Sequence, residues 1–240
     1  MKNNLVTKVV YRSVFCAFSF VSLLLATGFF SVGGQPRLTF SGWDMIYYYT
    51  NLSNYLCLGV TFALLIDDIR QLRSGKLHGF NSSPFLSFLK YAATQIIALT
   101  FTAYVLCHAD LTSISFWNDI ANLGYHVICP LMFILDTLLF QEHRRLGIWD
   151  PVLSAIIPLI YVVFIEIFAD FTGKYPYFFL DWHALGPAGM VRWMAYLLIF
   201  YLSFGYSLFV YDKLVKIDEK WVLDFSYTPR LGFLHPKAQG

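Results

Sequence analysis

Residues 43–66 read WDMIYYYTNLSNYLCLGVTFALLI, an apolar stretch that also carries a group of amide and hydroxyl side chains. A helix that crosses a bilayer takes about 20 predominantly apolar residues. The acidic residues Asp67 and Asp68 follow directly after this stretch. The sequence therefore predicts a membrane span at Trp43–Ile66, with the two aspartates at its end.

Five further stretches have the length and the apolar character of a span. The chain as a whole is 58% apolar and only 13% charged, whereas a soluble domain is roughly half apolar and about a quarter charged. The fold class is therefore predicted to be all-α, a polytopic membrane protein with six transmembrane helices. The other five predicted spans are Val9–Val32, Pro84–Cys107, Phe116–Phe140, Pro151–Phe168 and Met190–Tyr211.

The distribution of lysine and arginine sets the expected orientation. Of the 17 such residues, only Arg37, Lys174 and Arg192 fall on one side of the predicted spans. All others, including Arg12 and Lys90, are assigned to the side that holds both termini. Because cytoplasmic connections are enriched in lysine and arginine, we expect cytoplasmic N- and C-termini and a multi-pass protein of the cell membrane. Residues 1–212 are assigned to the transmembrane domain and residues 213–240 to a cytoplasmic C-terminal tail.

Charge and cysteine content exclude several classes of partner. The net charge is only +2 and no basic patch stands out, so a nucleic-acid partner is not expected. The four cysteines lie in apolar runs without zinc-binding spacing, so no metal site and no cofactor are predicted. The expected partner is the lipid bilayer, and no feature of the sequence sets an oligomeric state.

The second predicted span carries an organised polar face. In hydrocarbon a polar side chain is costly, so a cluster of them marks either helix contacts or a site. Asn51 and Ser53 lie beside this face. The residues that share it at helical spacing are Tyr47, Thr50, Asn54, Cys57 and Thr61.

The fourth predicted span has a similar face around a histidine. The stretch reads FWNDIANLGYHVICPLMFILDTLLF, and His126 is the histidine placed well inside a span. Pro130 lies four residues further on and loosens the backbone there. The residues that share the face are Asn122, His126, Cys129, Phe133 and Asp136.

Depth in the bilayer allows the two polar faces to meet. Both spans run in the same direction, so Thr50 is roughly 10 Å and His126 roughly 14 Å from the outer ends of their helices. A hydroxyl and an imidazole at one depth can form a nucleophile and its base. We predict Thr50 as the nucleophile and His126 as the base. Side-chain donors to an oxyanion are expected from Asn51, Asn54 or Asn122.

An acidic residue could orient the histidine ring. The candidates at the outer side are Asp119, Asp170, Asp181 and Glu166, and for Glu166 a pair with Arg192 is the preferred interpretation.

The segments YYTNLSN around Thr50 and GYHVICP around His126, together with the six-pass layout, resemble the androgen-induced-gene family. The chain looks like the bacterial six-pass branch of that family. Animal members are membrane hydrolases of fatty acid esters that use a threonine in the second span and a histidine in the fourth. The resemblance implies those roles for Thr50 and His126, with a lipid ester as the substrate.

Two other functions fit the same residues. A small-solute transporter would use the polar faces as a path, with Asp136 and Gln95 as its deeper groups. A non-catalytic membrane scaffold would use the polar residues only to join packed helices.

Overall fold

The computed structural model describes residues 2–26, 42–75, 83–107, 120–140, 145–217, 220–226 and 228–234. Within these ranges the chain is mostly helical. Among the described residues, five helical stretches are long and apolar enough to cross a membrane, and Gly124–Phe140 forms a shorter apolar helical segment. The prediction of a helical protein with several apolar helices of spanning length is confirmed.

The chain begins with a long helix and alternates helices with short turns. Helix α2 (Tyr49–Ser74) and helix α7 (Ile156–Thr172) each end at a glycine, Gly75 and Gly173, in the left-handed conformation that glycine adopts without steric cost. The elements are α1 (Lys2–Ala26), a first 3₁₀ turn (Gly42–Tyr47), α2 (Tyr49–Ser74), α3 (Pro84–Cys107), α4 (Ile120–Leu123), a π-helical turn (Gly124–Ile128), α5 (Cys129–Phe140), α6 (Asp150–Ser154), α7 (Ile156–Thr172), a second 3₁₀ turn (Phe178–Leu180), α8 (Trp182–Lys213), β1 (Leu214–Ile217), β2 (Lys220–Leu223) and a third 3₁₀ turn (Gly232–Leu234).

The predicted span boundaries agree with the observed helix ends for some spans and differ for others. The third predicted span coincides with α3, whereas the second is wrong at both ends. Its first residues form a 3₁₀ turn, and α2 continues beyond Ile66 to Ser74. Asp67 and Asp68 do not end the helix, because both are buried inside the bundle. Residues 27–32 and 116–119 of the first and fourth predicted spans lie outside the described residues.

Helices α1, α2, α3 and α5 pack around a shared apolar core. Helix α8 packs against another side of α3, where Tyr91 meets Leu208 and Phe209. The four-helix core is built mainly from Phe15, Cys57, Val60, Ala93, Ile97 and Phe133.

Four buried charges join these same four helices. Arg12 donates from Nη1 to Asp68 Oδ2 at 2.6 Å and from Nε to Asp136 Oδ1 at 2.9 Å. Lys90 Nζ lies 2.5 Å from Asp136 Oδ2. All four side chains belong to residues no more than 2% exposed. Arg12 and Lys90, which were counted toward the side of the termini, lie within the bundle, where two carboxylates balance their charge.

The residues after α8 fold back onto the bundle. Strands β1 and β2 form an antiparallel hairpin that the all-helical prediction missed. The following segment reaches the loop before α6, where Asp150 accepts hydrogen bonds from the N–H groups of Gly147 and Gly232 at 2.8 and 3.1 Å. A side chain on either glycine would collide with the backbone opposite. Part of the predicted tail is thus packed against the helices.

Replacing Arg12 by glutamine is expected to destabilise the bundle strongly. Removal of one partner from a buried ion pair costs about 3–5 kcal/mol, because the remaining charge stays buried without compensation. The thermal midpoint in detergent should fall well below that of the wild type. Arg73→Gln is the matched control, since Arg73 is exposed near the end of α2. Equal midpoints for Arg12→Gln and the wild type would contradict this role.

Candidate functional site

Thr50 lies in the first turn of α2, directly after the first 3₁₀ turn. The residue is 6% exposed. Its backbone N–H donates to the Tyr177 hydroxyl at 3.2 Å, and its Oγ1 shares a hydrogen bond with the same hydroxyl at 3.2 Å. The residue at the helix N-cap, Tyr48, makes no capping side-chain bond. Tyr177, from the segment between α7 and α8, therefore satisfies a donor at the N-terminus of α2.

A π-helical turn presents His126, and Asn54 completes its hydrogen bonding. In this turn the Cys129 N–H bonds to Gly124 O instead of to Tyr125 O. The next residue that could serve Tyr125 O is Pro130, which has no N–H. Asn54 Nδ2 donates to Tyr125 O at 2.9 Å. The amide of α2 thus takes the place of the missing backbone donor.

The same amide ties the two predicted functional residues together. Asn54 Nδ2 also donates to the carbonyl oxygen of Thr50 at 2.8 Å. One side chain therefore bridges the backbone of Thr50 to the backbone of the residue that precedes His126. This bridge fixes the two segments relative to one another.

Stacked rings hold the imidazole of His126. Its ring lies 3.7 Å from the ring of Tyr104, centroid to centroid, with an angle of 11° between the planes. The Tyr125 ring lies 4.3 Å away on a tilt of 38°. Asn122 Nδ2 donates to the Tyr104 hydroxyl. The orientation of the histidine is thus set by aromatic neighbours from α3 and from its own turn.

Thr50 and His126 both line one partly open cavity between the helices. The structure thus brings the predicted nucleophile and base to the same space. The lining residues are Tyr49, Thr50, Leu99, Thr100, Ala103, Tyr104, His126, Pro158, Tyr161, Val162, Tyr177, Phe179, Leu180, Met194 and Leu197.

The walls of the cavity are apolar. They come from α3, α7, α8 and the second 3₁₀ turn, and no lysine, arginine, aspartate or glutamate is among the lining residues that the structure describes. Hydroxyl groups and one imidazole supply the polar atoms. Such a cavity favours an uncharged, largely apolar ligand, because a charged group would lose its hydration without gaining a counter-ion.

The three asparagines predicted as oxyanion donors do not line the cavity. Asn51 Nδ2 donates to Met45 O at 2.8 Å, within the first 3₁₀ turn. Asn54 serves the two backbone carbonyls described above, and Asn122 serves the Tyr104 hydroxyl. In this arrangement the three amides position backbone and rings around the site.

The acidic residues predicted to orient His126 lie away from the cavity in the described part of the chain. Asp181 accepts the Ala184 N–H as the cap of α8, and Asp170 lies 3.9 Å from His183. The predicted pair between Glu166 and Arg192 is not formed, because neither carboxylate oxygen of Glu166 has a hydrogen-bond partner there. Asp119 lies outside the described residues.

Sequence reasoning missed two tyrosines of the site. Tyr177 reaches Thr50 from the segment before α8, and Tyr104 reaches His126 from α3. The aromatic run YPYFF occupies residues 175–179. Outside a helix or strand, however, residue spacing does not indicate which way a side chain points.

Comparisons with family models, with curated proteins and with solved structures found no match to this chain.

Replacing Asn54 by leucine should lower the thermal stability. The change removes two buried hydrogen bonds, and a buried acceptor left without its donor costs about 1–3 kcal/mol. Pro130→Ala supplies an N–H at the position that could serve Tyr125 O, so the double variant should recover part of the loss. The free energies of unfolding of the four proteins in this double-mutant cycle measure the coupling.

Asn51→Leu combined with Pro130→Ala is the matched control for that cycle. The Asn51 amide bonds to Met45 O and not to the π turn, so these two changes should be additive within about 0.5 kcal/mol. Additive effects for Asn54 and Pro130 as well would contradict the role given to the Asn54 bridge.

Proposed function

We propose that this chain is an intramembrane hydrolase of lipid esters, with Thr50 as the nucleophile and His126 as the general base. The observation that carries the proposal is that both side chains line one apolar cavity within the helical bundle. By the distribution of its basic residues, the protein is a multi-pass protein of the cell membrane with both termini in the cytoplasm.

The chemistry requires only the hydroxyl, the imidazole and water. His126 takes the proton of the Thr50 hydroxyl while Oγ1 forms a bond to the ester carbonyl carbon. The tetrahedral intermediate collapses, the bond to the alcohol oxygen breaks, and the imidazolium returns its proton to that oxygen. Water then attacks the acyl-threonine with the same base, which releases the carboxylic acid and restores Thr50.

The position of Thr50 at a helix N-terminus favours this reaction. The aligned peptide groups place partial positive charge at the beginning of α2. Negative charge that develops on Oγ1 and on the carbonyl oxygen is stabilised there, and more so in an apolar cavity than in water.

The cavity walls indicate the kind of ester. Because no lysine, arginine, aspartate or glutamate is among the described lining residues, the part of the substrate inside the cavity is an uncharged acyl chain with its ester group. The transporter alternative receives less support. Its deepest polar group, Asp136, is engaged by both Arg12 and Lys90.

Fluorophosphonate labelling of the purified protein tests the nucleophile. The wild type should be labelled on Thr50, and Thr50→Ala should lose the label. Thr61→Ala is the matched control, because Thr61 is a buried threonine of the same helix that does not line the cavity. Labelling that persists in Thr50→Ala would refute the assignment.

Replacing His126 by alanine should reduce ester turnover. A positioned general base contributes about 10²–10⁴-fold to the rate, so kcat should fall by a factor in that range. The thermal midpoint of the variant serves as the folding control. Unchanged turnover of a p-nitrophenyl fatty ester in a folded His126→Ala protein would exclude the histidine as the base.

Filling the cavity should change selectivity for the acyl chain. Ala103 lines the cavity on α3, and Ala103→Phe places a large side chain in the space assigned to the chain of the substrate. Turnover of a long-chain p-nitrophenyl ester should fall relative to that of the acetate ester. An equal effect on both esters would show that the acyl chain binds elsewhere.

A further inference from the structure

We propose that the Tyr177 hydroxyl is the oxyanion donor of this site. The inference rests on the proposed function, and it replaces the three asparagines that the sequence suggested for the same role.

The position of the hydroxyl relative to Thr50 is the first argument. Tyr177 Oη lies 3.2 Å from Thr50 Oγ1 and lines the same cavity. In a tetrahedral intermediate the oxyanion is attached to the carbon that Oγ1 has just bonded, so it lies two bonds from Oγ1. A donor in contact with Oγ1 is therefore within reach of the oxyanion after a small rotation about the phenol C–O bond.

The second argument concerns the direction of the hydroxyl hydrogen. The Thr50 backbone N–H donates to Tyr177 Oη and occupies acceptor capacity on that oxygen. A phenol has one O–H hydrogen, which the anchored oxygen can direct to Thr50 Oγ1 in the free protein. When Oγ1 becomes part of the ester bond, the hydrogen can turn to the new oxyanion.

Other hydroxyl groups on the cavity wall have different partners. Thr100 Oγ1 is bonded to Ser53 Oγ at 2.9 Å and to Ile96 O at 3.2 Å, and Tyr161 donates to Tyr47 O at 2.7 Å. The Tyr104 hydroxyl accepts a hydrogen bond from Asn122 Nδ2. The partners of these three hydroxyls are thus groups other than Thr50 Oγ1. The hydroxyl of Tyr49 is buried without a hydrogen-bond partner among the described residues, so this residue is the rival donor that the experiment has to separate.

Protonation of the phenol is compatible with a donor. Burial raises the pKa of Tyr177 to about 12, so the hydroxyl keeps its hydrogen at neutral pH. The titratable groups that face it are the phenols of Tyr48, Tyr49 and Tyr161, with His126 on the wall of the same cavity.

Tyr177→Phe should lower kcat for a p-nitrophenyl fatty ester by about 10²–10³-fold, as removal of one oxyanion donor does, with little change in KM. The rate of fluorophosphonate labelling at Thr50 should fall in parallel, because the phosphonyl oxygen occupies the same place. Tyr201→Phe is the control, since it removes a buried tyrosine hydroxyl bonded to Ser154 O outside the cavity.

The outcomes separate this inference from the proposed function. Normal labelling and turnover in Tyr177→Phe would overturn the inference and leave Thr50 as the nucleophile. A rate loss in Tyr49→Phe instead of Tyr177→Phe would overturn it in favour of the rival. Equal losses of rate and thermal stability in Tyr177→Phe and Tyr201→Phe would also overturn it. Absence of label on Thr50 in the wild type would refute the proposed function itself.

A fluorinated tyrosine at position 177 distinguishes a catalytic role of the Tyr177 hydroxyl from a role as the cap of α2. It also tests the inference if Tyr177→Phe does not fold. Fluorination lowers the pKa of the phenol while its shape is nearly kept. A donor must be protonated, so the activity of the fluorotyrosine protein should be lost at a lower pH than in the wild type. A phenolate still accepts the Thr50 N–H, so a cap alone predicts an unchanged alkaline limb, which would overturn the inference.

Discussion

Pairing of buried charges is the constraint on which the arrangement of the helices depends. Two cations and two carboxylates lie among apolar helices, and each would be costly to bury without its partners. Because α1, α2, α3 and α5 contribute one charge each, the cluster specifies both the rotation of each helix about its axis and its height in the bundle.

A second connection joins α2 to the helical segment that contains α5, at a different level from the charge cluster. Asn54 of α2 bonds to the backbone of the π turn that continues into α5. Helix α2 is thus fixed to its neighbour at two separate levels, by the charges at one and by an amide at the other. The cavity lies beside the amide, so its polar wall is attached to the rigid part of the bundle, a condition for holding reacting groups in place.

The apolar spans were predictable because a spanning helix needs an unbroken run of apolar residues, and such a run can be recognised from consecutive residues alone. Thr50 and His126 were proposed as site residues on the same grounds, as polar groups in an apolar setting. The end of α2 was not predictable. Asp67 and Asp68 look like residues at a membrane boundary, and the arginine that binds Asp68 is 56 residues away in the sequence.

The π turn limited the prediction of the site in a different way. The polar face drawn from Asn122 through Asp136 assumed regular α-helical spacing. A π turn holds more residues than an α-helical turn, so residues before and after it are not in the phase that the pattern assumes. Asn122 accordingly meets Tyr104 rather than the cavity. The aromatic residue next to Thr50 comes from a loop, where spacing carries no information on side-chain direction.

The closely opposed glycines at positions 147 and 232 have a consequence for the order of assembly. The two backbones meet around the carboxylate of Asp150 with no room for a side chain between them. Segment 228–234 is made long after the loop that it covers. During synthesis, therefore, the N–H groups of the loop before α6 and the carboxylate of Asp150 lack their partners from this segment until α8 and the hairpin have been made. This end of the bundle therefore closes only after segment 228–234 has been made.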